Sequence, residues 1–273
     1  ELKEVVALQC DVVLHFDEQL SALQKARLQQ PINVWLKINT GMNRLGIMPD
    51  KVHALYQSLR QCHNVNDIKL MTHFSDADNP NLPTTKNQMA IFNETVEYLE
   101  GERSLANSAG IIAFPESHAD YVRPGLMLYG VSPMIGKTAQ EFDLKPVMTF
   151  TSKIIALRYQ QKGDAIGYGS TFICPEDMPV GIVAMGYGDG YPWYLPQGGV
   201  VLIDGIECPL AGRVSMDFLA VDLRKAPHAK VGNHVVLWGD GLPVERIAAN
   251  AETIPYELLC GVAKRVGGRD SPP

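Results

Sequence analysis

The chain has 273 residues, 46% of them hydrophobic, and a formal charge of −6, enough to bury a substantial core in one large or two smaller domains. The acidic balance, with no Lys/Arg cluster to offset it, argues against a nucleic-acid surface, and no apolar run is long enough to span a membrane. Five cysteines, without CxxC spacing or histidine neighbours, argue against a disulfide frame and a metal site and fit a reducing cytoplasm, leaving a small molecule as the expected partner.

The first half alternates strand-like runs with amphipathic helices. Val12 to Phe16 reads as a strand. Asp17 then opens a helix with Leu20, Leu23 and Leu28 on one face, stopped by Pro31. Val34 to Ile38 is a second strand, followed by a helix from about Asp50 with Val52, Leu55, Leu59 and Cys62 at helical spacing. Leu70 to Phe74 is a third strand, and Met89, Phe92, Val96 and Leu99 mark the next helix face. Leu105 to Ser108 and Val122 to Tyr129 supply two further strands. Repeated βα units imply a parallel sheet with right-handed crossovers, either doubly wound or a barrel.

From about Pro146 the texture changes. Val147 to Ile155, Val180 to Met185, Val200 to Ile203, Phe218 to Leu223 and Val235 to Trp238 are short β-type runs between Gly, Pro and Asp turns, the pattern of a mostly antiparallel β domain. The boundary is placed near residue 140, giving segments 1–140 and 141–273. Pro243 to Asn250 and Tyr256 to Lys264 read as short helices, and the end from Gly267 to Pro273 as frayed.

In either parallel architecture ligands gather at the C-terminal strand ends. There the chain places Asn39 to Gly46, His73, Asn107-Ser108 and Arg123 to Leu126. In the second half, the apolar run Val180 to Met185 delivers Tyr187 into the turn Gly186-Tyr187-Gly188-Asp189-Gly190-Tyr191, whose glycines permit close backbone approach. Singly, each has an ordinary reading: a surface ion pair, a satisfied polar residue, a helix cap, a tight turn. Together they mark a site.

Taken in order, the runs KINTGMNRLG (37–46), THF (72–74), NSAG (107–110), VRPGLMLYG (122–130), GYGDGYP (186–192) and GRVSMD (212–217) resemble the bacterial alanine racemases. That family uses pyridoxal 5′-phosphate (PLP) and joins a TIM (β/α)8 barrel to a C-terminal β domain. The resemblance implies an α/β fold, with barrel strands 4 to 8 followed by the antiparallel domain. It also implies interconversion of L- and D-alanine for peptidoglycan by a two-base mechanism in a homodimer.

Tyr187 matches the tyrosine base that a partner subunit supplies. A free phenol titrates at about 10, so such a base needs positive charge nearby. His73 and Arg123 match the network behind it, with Arg123 also donating to the PLP pyridine nitrogen. Ser108 and the N–H groups of Gly125 and Leu126 match the phosphate site. Arg44 matches a contact to the PLP phenolate oxygen and the substrate carboxylate, and the Met216 N–H a second carboxylate contact. Asp78 and Arg213 resemble residues lining the substrate's way in.

Two departures accompany the match. A tyrosine near the family's C-terminus corresponds here to Lys264. The family's PLP lysine, in a V-K-A-N-A-Y-G motif, has no counterpart; Lys37 sits in a different motif. A front part on the order of 100 residues is expected to be missing, and the chain alone is expected to be inactive. A broader-specificity amino-acid racemase and a non-catalytic remnant serving assembly are the alternative readings.

Overall fold

The structure is a computed structural model and describes residues 1–196 and 198–268. The frayed end expected at Gly267 to Pro273 lies, from residue 269 on, outside the described residues. The chain forms two compact units, one of Glu1–Gly125 and Pro133–Ile135, the other of Leu126–Ser132 and the chain from Gly136 onward.

The first unit runs α1 (Leu2–Ala7), β1 (Val12–Leu14), α2 (Asp17–Lys25), β2 (Ile32–Lys37), α3 (Pro49–Arg60), β3 (Val65–Met71), α4 (Thr84–Thr95), β4 (Arg103–Asn107), α5 (Ser108–Ala113) and β5 (Tyr121–Arg123). Its five strands lie in the order β1-β2-β3-β4-β5, and every pairing is parallel. A doubly wound sheet contains a point where the strand order reverses. Here the order never reverses, so the sheet winds one way, as part of a barrel does.

Strand β2 shows how the pattern makes the layer. Ile32, Val34 and Leu36 are buried while Asn33, Trp35 and Lys37 alternate with them on the other face. The buried set meets Leu20 and Leu23 of α2, Leu55 and Leu59 of α3 and Phe92 of α4 in one core. On the opposite face, Lys69 of β3 lies 5.3 Å from the Trp35 ring and 4.9 Å from the Tyr121 ring and pairs with Glu102 at 3.1 Å.

Several boundaries differ from the sequence expectation. Helix α2 ends at Lys25, so Leu28 packs from the loop ahead of Pro31. Cys62, Val96 and Leu99 stay buried although they lie beyond their helices. The fifth strand stops at Arg123 because Pro124 has no N–H to continue a ladder, and Leu126–Tyr129 is a 3-10 turn. Helix α1 was not expected.

The second unit carries β6 (Phe150–Gln160), β7 (Ala165–Ile166), β8 (Phe172–Ile173), β9 (Met178–Val183), β10 (Val200–Ile203), β11 (Ile206–Pro209), β12 (Leu219–Asp222), β13 (His234–Trp238), α6 (Val244–Asn250) and α7 (Pro255–Gly261). Six strands pair in the order β11-β10-β13-β6-β9-β12, all antiparallel. The β10–β11 hairpin turns on Asp204 (φ 50°) and Gly205 (φ 78°), the left-handed pair that a two-residue hairpin loop demands. Beyond β11, Leu210 bridges Val221 on β12, which draws the two ends of the sheet together. Phe150, Val201, Ile203, Val235, Leu237 and Trp238 fill its core. Among the described residues no helix is long and apolar enough to cross a membrane.

Candidate active site

In the first unit the expected residues collect at the C-terminal strand ends. His73 sits two residues past β3, anchored by the buried Phe74. Arg123 ends β5 and is held from three sides: Nη1 donates to Ser104 Oγ at 2.6 Å, and Nη2 to the carbonyls of Thr72 at 2.7 Å and Leu105 at 3.2 Å. The same Nη2 stands 3.4 Å from His73 Nδ1. Arg44 is exposed in the loop after β2, which Asn39 organises by accepting the N–H groups of Gly41 and Asn43.

The electrostatics of this rim are cationic. Burial, then the charges of Arg123, Lys37 and Arg44, push the His73 imidazole down to about 4. Burial, then Arg44 and Arg123, also holds the Lys37 ammonium below its ordinary range. Lys37 thus belongs electrostatically to the cluster, although the sequence reading set it aside. Its signal was positional, a lysine at the very end of β2 on the face opposite the buried Leu36.

Ser108 begins α5, and the Asn107 side chain caps that helix by accepting the Gly110 N–H at 2.9 Å. The Gly125 N–H donates to Ser108 Oγ at 2.7 Å. A Cβ on Gly125 would meet nothing nearer than that hydroxyl, at 3.9 Å, so there is open room beside it. A hydroxyl, a glycine-opened backbone and a cationic rim suit a phosphorylated, anionic cofactor. Leu126 is buried in the core of the second unit. Asp78 is partly exposed in the loop after β3, where its carbonyl accepts the Ile135 N–H at 3.2 Å.

In the second unit, Tyr187 starts a 3-10 turn, Tyr187–Asp189, soon after β9. Two expected segments meet here. The Tyr187 N–H donates to the Ser215 carbonyl at 3.0 Å and the Gly188 N–H to the Met216 carbonyl at 2.9 Å. A Cβ on Gly186 would fall 2.2 Å from the Ser215 oxygen and 2.3 Å from the Met216 oxygen, so only glycine allows this contact. Arg265 braces the arrangement, with Nε 2.8 Å from Asp189 and Nη2 2.7 Å from Asp217. The Tyr187 side chain is 44% exposed and that of Met216 54%.

Arg213 lies 5.9 Å over the Trp193 ring and helps line an open pocket of about 390 Å³ with Phe172, Tyr194 and Leu210. Lys264 is exposed in the turn after α7. Among the described residues no group of three or more His, Cys, Asp or Glu side chains is gathered to hold a metal ion.

Comparison with known proteins gives one family for both units. The profile "Alanine racemase, N-terminal domain" matches residues 1–133, and "Alanine racemase, C-terminal domain" matches residues 147–269. An alanine racemase of Coxiella burnetii is 47% identical over 272 residues, spanning 97% of this chain and 75% of that protein. The crystal structure of biosynthetic alanine racemase from Pseudomonas aeruginosa superposes with a TM-score of 0.94 at 43% identity, over 98% of this chain and 75% of that one. The alanine racemase of Bartonella henselae, solved with covalently bound pyridoxal phosphate, does so with a TM-score of 0.84 at 26% identity, over 97% and 74%.

Proposed function

The chain belongs to the alanine racemase family of isomerases, and from that premise we propose a cytoplasmic, PLP-dependent enzyme, dimeric when whole, in which Tyr187 is one of two bases acting on alanine. PLP, when bound, makes the α-proton of a joined amino acid acidic enough to remove. Racemisation then requires a proton taken from one face and returned to the other, hence two bases.

The chain's own residues divide the remaining work. Ser108 and the N–H groups of Gly125 and Leu126 would hold the cofactor phosphate. Arg123 would donate to the pyridine nitrogen, and a donor there, rather than a carboxylate, would favour the unprotonated ring. Arg44 would bind the cofactor's phenolate oxygen and the substrate carboxylate, and the Met216 N–H matches a second carboxylate contact. His73 would connect Arg123 to the phenol that a partner subunit supplies, the role that Tyr187 matches. Asp78 and Arg213 line the way in. No lysine of this chain stands in a V-K-A-N-A-Y-G run, so the second base comes from outside these 273 residues.

The observation that supports this reading is the pairing of the Tyr187 turn with Ser215 and Met216, whose main-chain bonds join two of the matched segments. The test is racemisation of L-alanine with PLP supplied. These residues alone should show no turnover, and joining an N-terminal segment with the lysine motif should give it. Tyr187→Phe in that protein should then lose at least about 100-fold of kcat. Full rate in both directions after Tyr187→Phe removes the tyrosine from the mechanism.

A further inference from the structure

Arg123 faces the imidazole of His73, but the main chain of His73 is held by a residue outside the matched motifs. Gln88, early in α4 and 1% exposed, donates from Nε2 to the His73 carbonyl at 3.0 Å, while its Oε1 accepts the Ser75 N–H at 3.0 Å. The orientation is forced, because a carbonyl can only accept and an amide N–H can only donate. One carboxamide thus ties down both backbone groups that flank the buried Phe74.

The same Nε2 reaches Thr40 Oγ1 at 3.3 Å. Thr40 lies 2.7 Å from Thr72 Oγ1, and Thr72 donates to the Ile38 carbonyl at 3.0 Å. The Thr72 carbonyl, in turn, is the one that Arg123 grips. Gln88 is therefore the interior end of a buried network joining the β2 end, the β3 end and Arg123. On the buried face of α4 it stands between Thr85 and Phe92, both fully buried. A leucine or methionine would serve packing alone at lower desolvation cost, since a buried amide is tolerable only when hydrogen-bonded.

We propose that Gln88 is a positioning residue for the candidate site, clamping the backbone on either side of Phe74 so that the His73 ring stays against Arg123. This rests on the reading of His73 and Arg123 given above. Gln88 touches neither substrate nor cofactor and acts through His73.

The test follows the His73 ring by NMR in the full chain across pH. The charged groups that act on the ring are Arg123 on β5, Lys37 at the end of β2 and Arg44 in the loop that follows. In the native chain the ring should stay neutral down to about pH 4. Gln88→Met, similar in length but without hydrogen bonds, should let the ring drift from these cations and raise the midpoint by about one unit or more toward the ordinary 6.5. Thr40→Val cuts only the side arm and should leave the midpoint in place. A folded Gln88→Met chain with an unmoved midpoint overturns the proposal, as does an equal shift from Thr40→Val.

Should Gln88→Met fail to fold, hydrogen exchange in the native chain decides. The Ser75 N–H should exchange at least about 100-fold slower than an unstructured amide, and an unprotected Ser75 overturns the clamp. If the midpoint moves in Gln88→Met while the racemising protein keeps its kcat, the clamp stands and the role assigned to His73 falls.

Discussion

Nη2 of Arg123 stands 3.4 Å from Nδ1 of His73 while donating to the Thr72 carbonyl at 2.7 Å. A guanidinium has no lone pair to offer, so Nδ1 faces it as the acceptor and the ring proton belongs on Nε2. The arginine thereby selects the histidine's tautomer and opposes its protonation. That leaves Nε2–H as the donor His73 can present to a partner such as a phenolate.

The low His73 value makes stability depend on pH. The folded ring resists protonation down to about 4, whereas the unfolded ring takes a proton near 6.5. Above pH 6.5 the ring is neutral in both states and contributes no slope. As pH falls from there through about 4, the unfolded state gains the proton first and the native state loses about 1 to 3 kcal/mol. His73→Gln should therefore flatten this part of the curve of unfolding midpoint against pH. Parallel curves for the two proteins would mean the ring is not shielded.

Arg123→Lys should destabilise the first unit. One ammonium on a flexible stem cannot reach Ser104 Oγ and the Thr72 and Leu105 carbonyls together. The expected loss is about 1 to 3 kcal/mol in urea unfolding, from buried acceptors left without donors. An unchanged urea midpoint would show that β5 is held without the fork.

Gly186→Ala is expected to cost about 1 to 3 kcal/mol, because its methyl would land 2.2 Å from a backbone oxygen that has no rotamer to escape into. The comparison is Gly267→Ala, whose Cβ meets nothing within 4 Å and which should be silent. Equal melting temperatures for the two variants would mean that the turn does not rest on Ser215.

Arg265→Gln removes the brace between Asp189 and Asp217. Both pairs are partly open to water, so the effect should be local and sensitive to salt. The Tyr187 and Gly188 amides should exchange faster in the variant, and the difference should shrink at 1 M salt. Exchange rates that are equal at low salt would assign the rigidity to the backbone bonds alone.

Where side-chain period alone decides, the chain was readable. Val34 and Leu36 alternate along β2, which starts two residues ahead of the expected run, and Leu20 and Leu23 sit on one face of α2, as expected. The helix ends were less legible, because Val96 and Leu99 remain buried after α4 has stopped and apolar spacing does not register the change of backbone. The β10–β11 hairpin was missed although Asp204-Gly205 is a strong turn signal, because Ile206 to Pro209 includes a charged residue and a proline.

In the site, Arg123, His73, Ser108 and Gly125 were all found at strand ends. Lys37 and Gln88 were not, for a common reason. Their roles come from neighbours distant in sequence: Arg44 and Arg123 for the lysine, Thr40, His73 and Ser75 for the glutamine. The visible trace of Gln88 was a polar residue four positions before Phe92, on a buried helix face shared with Thr85 and Thr95.

The contact between the Gly186-Gly188 turn and Ser215-Met216 is made wholly of main-chain atoms. It therefore divides the neighbourhood into frozen and freely editable letters. The glycine at 186 has no substitute, whereas the side chain at 216 projects 54% exposed and takes no part in the joint. Position 216 can therefore change its side chain while its carbonyl still receives the N–H of Gly188, the neighbour of Tyr187.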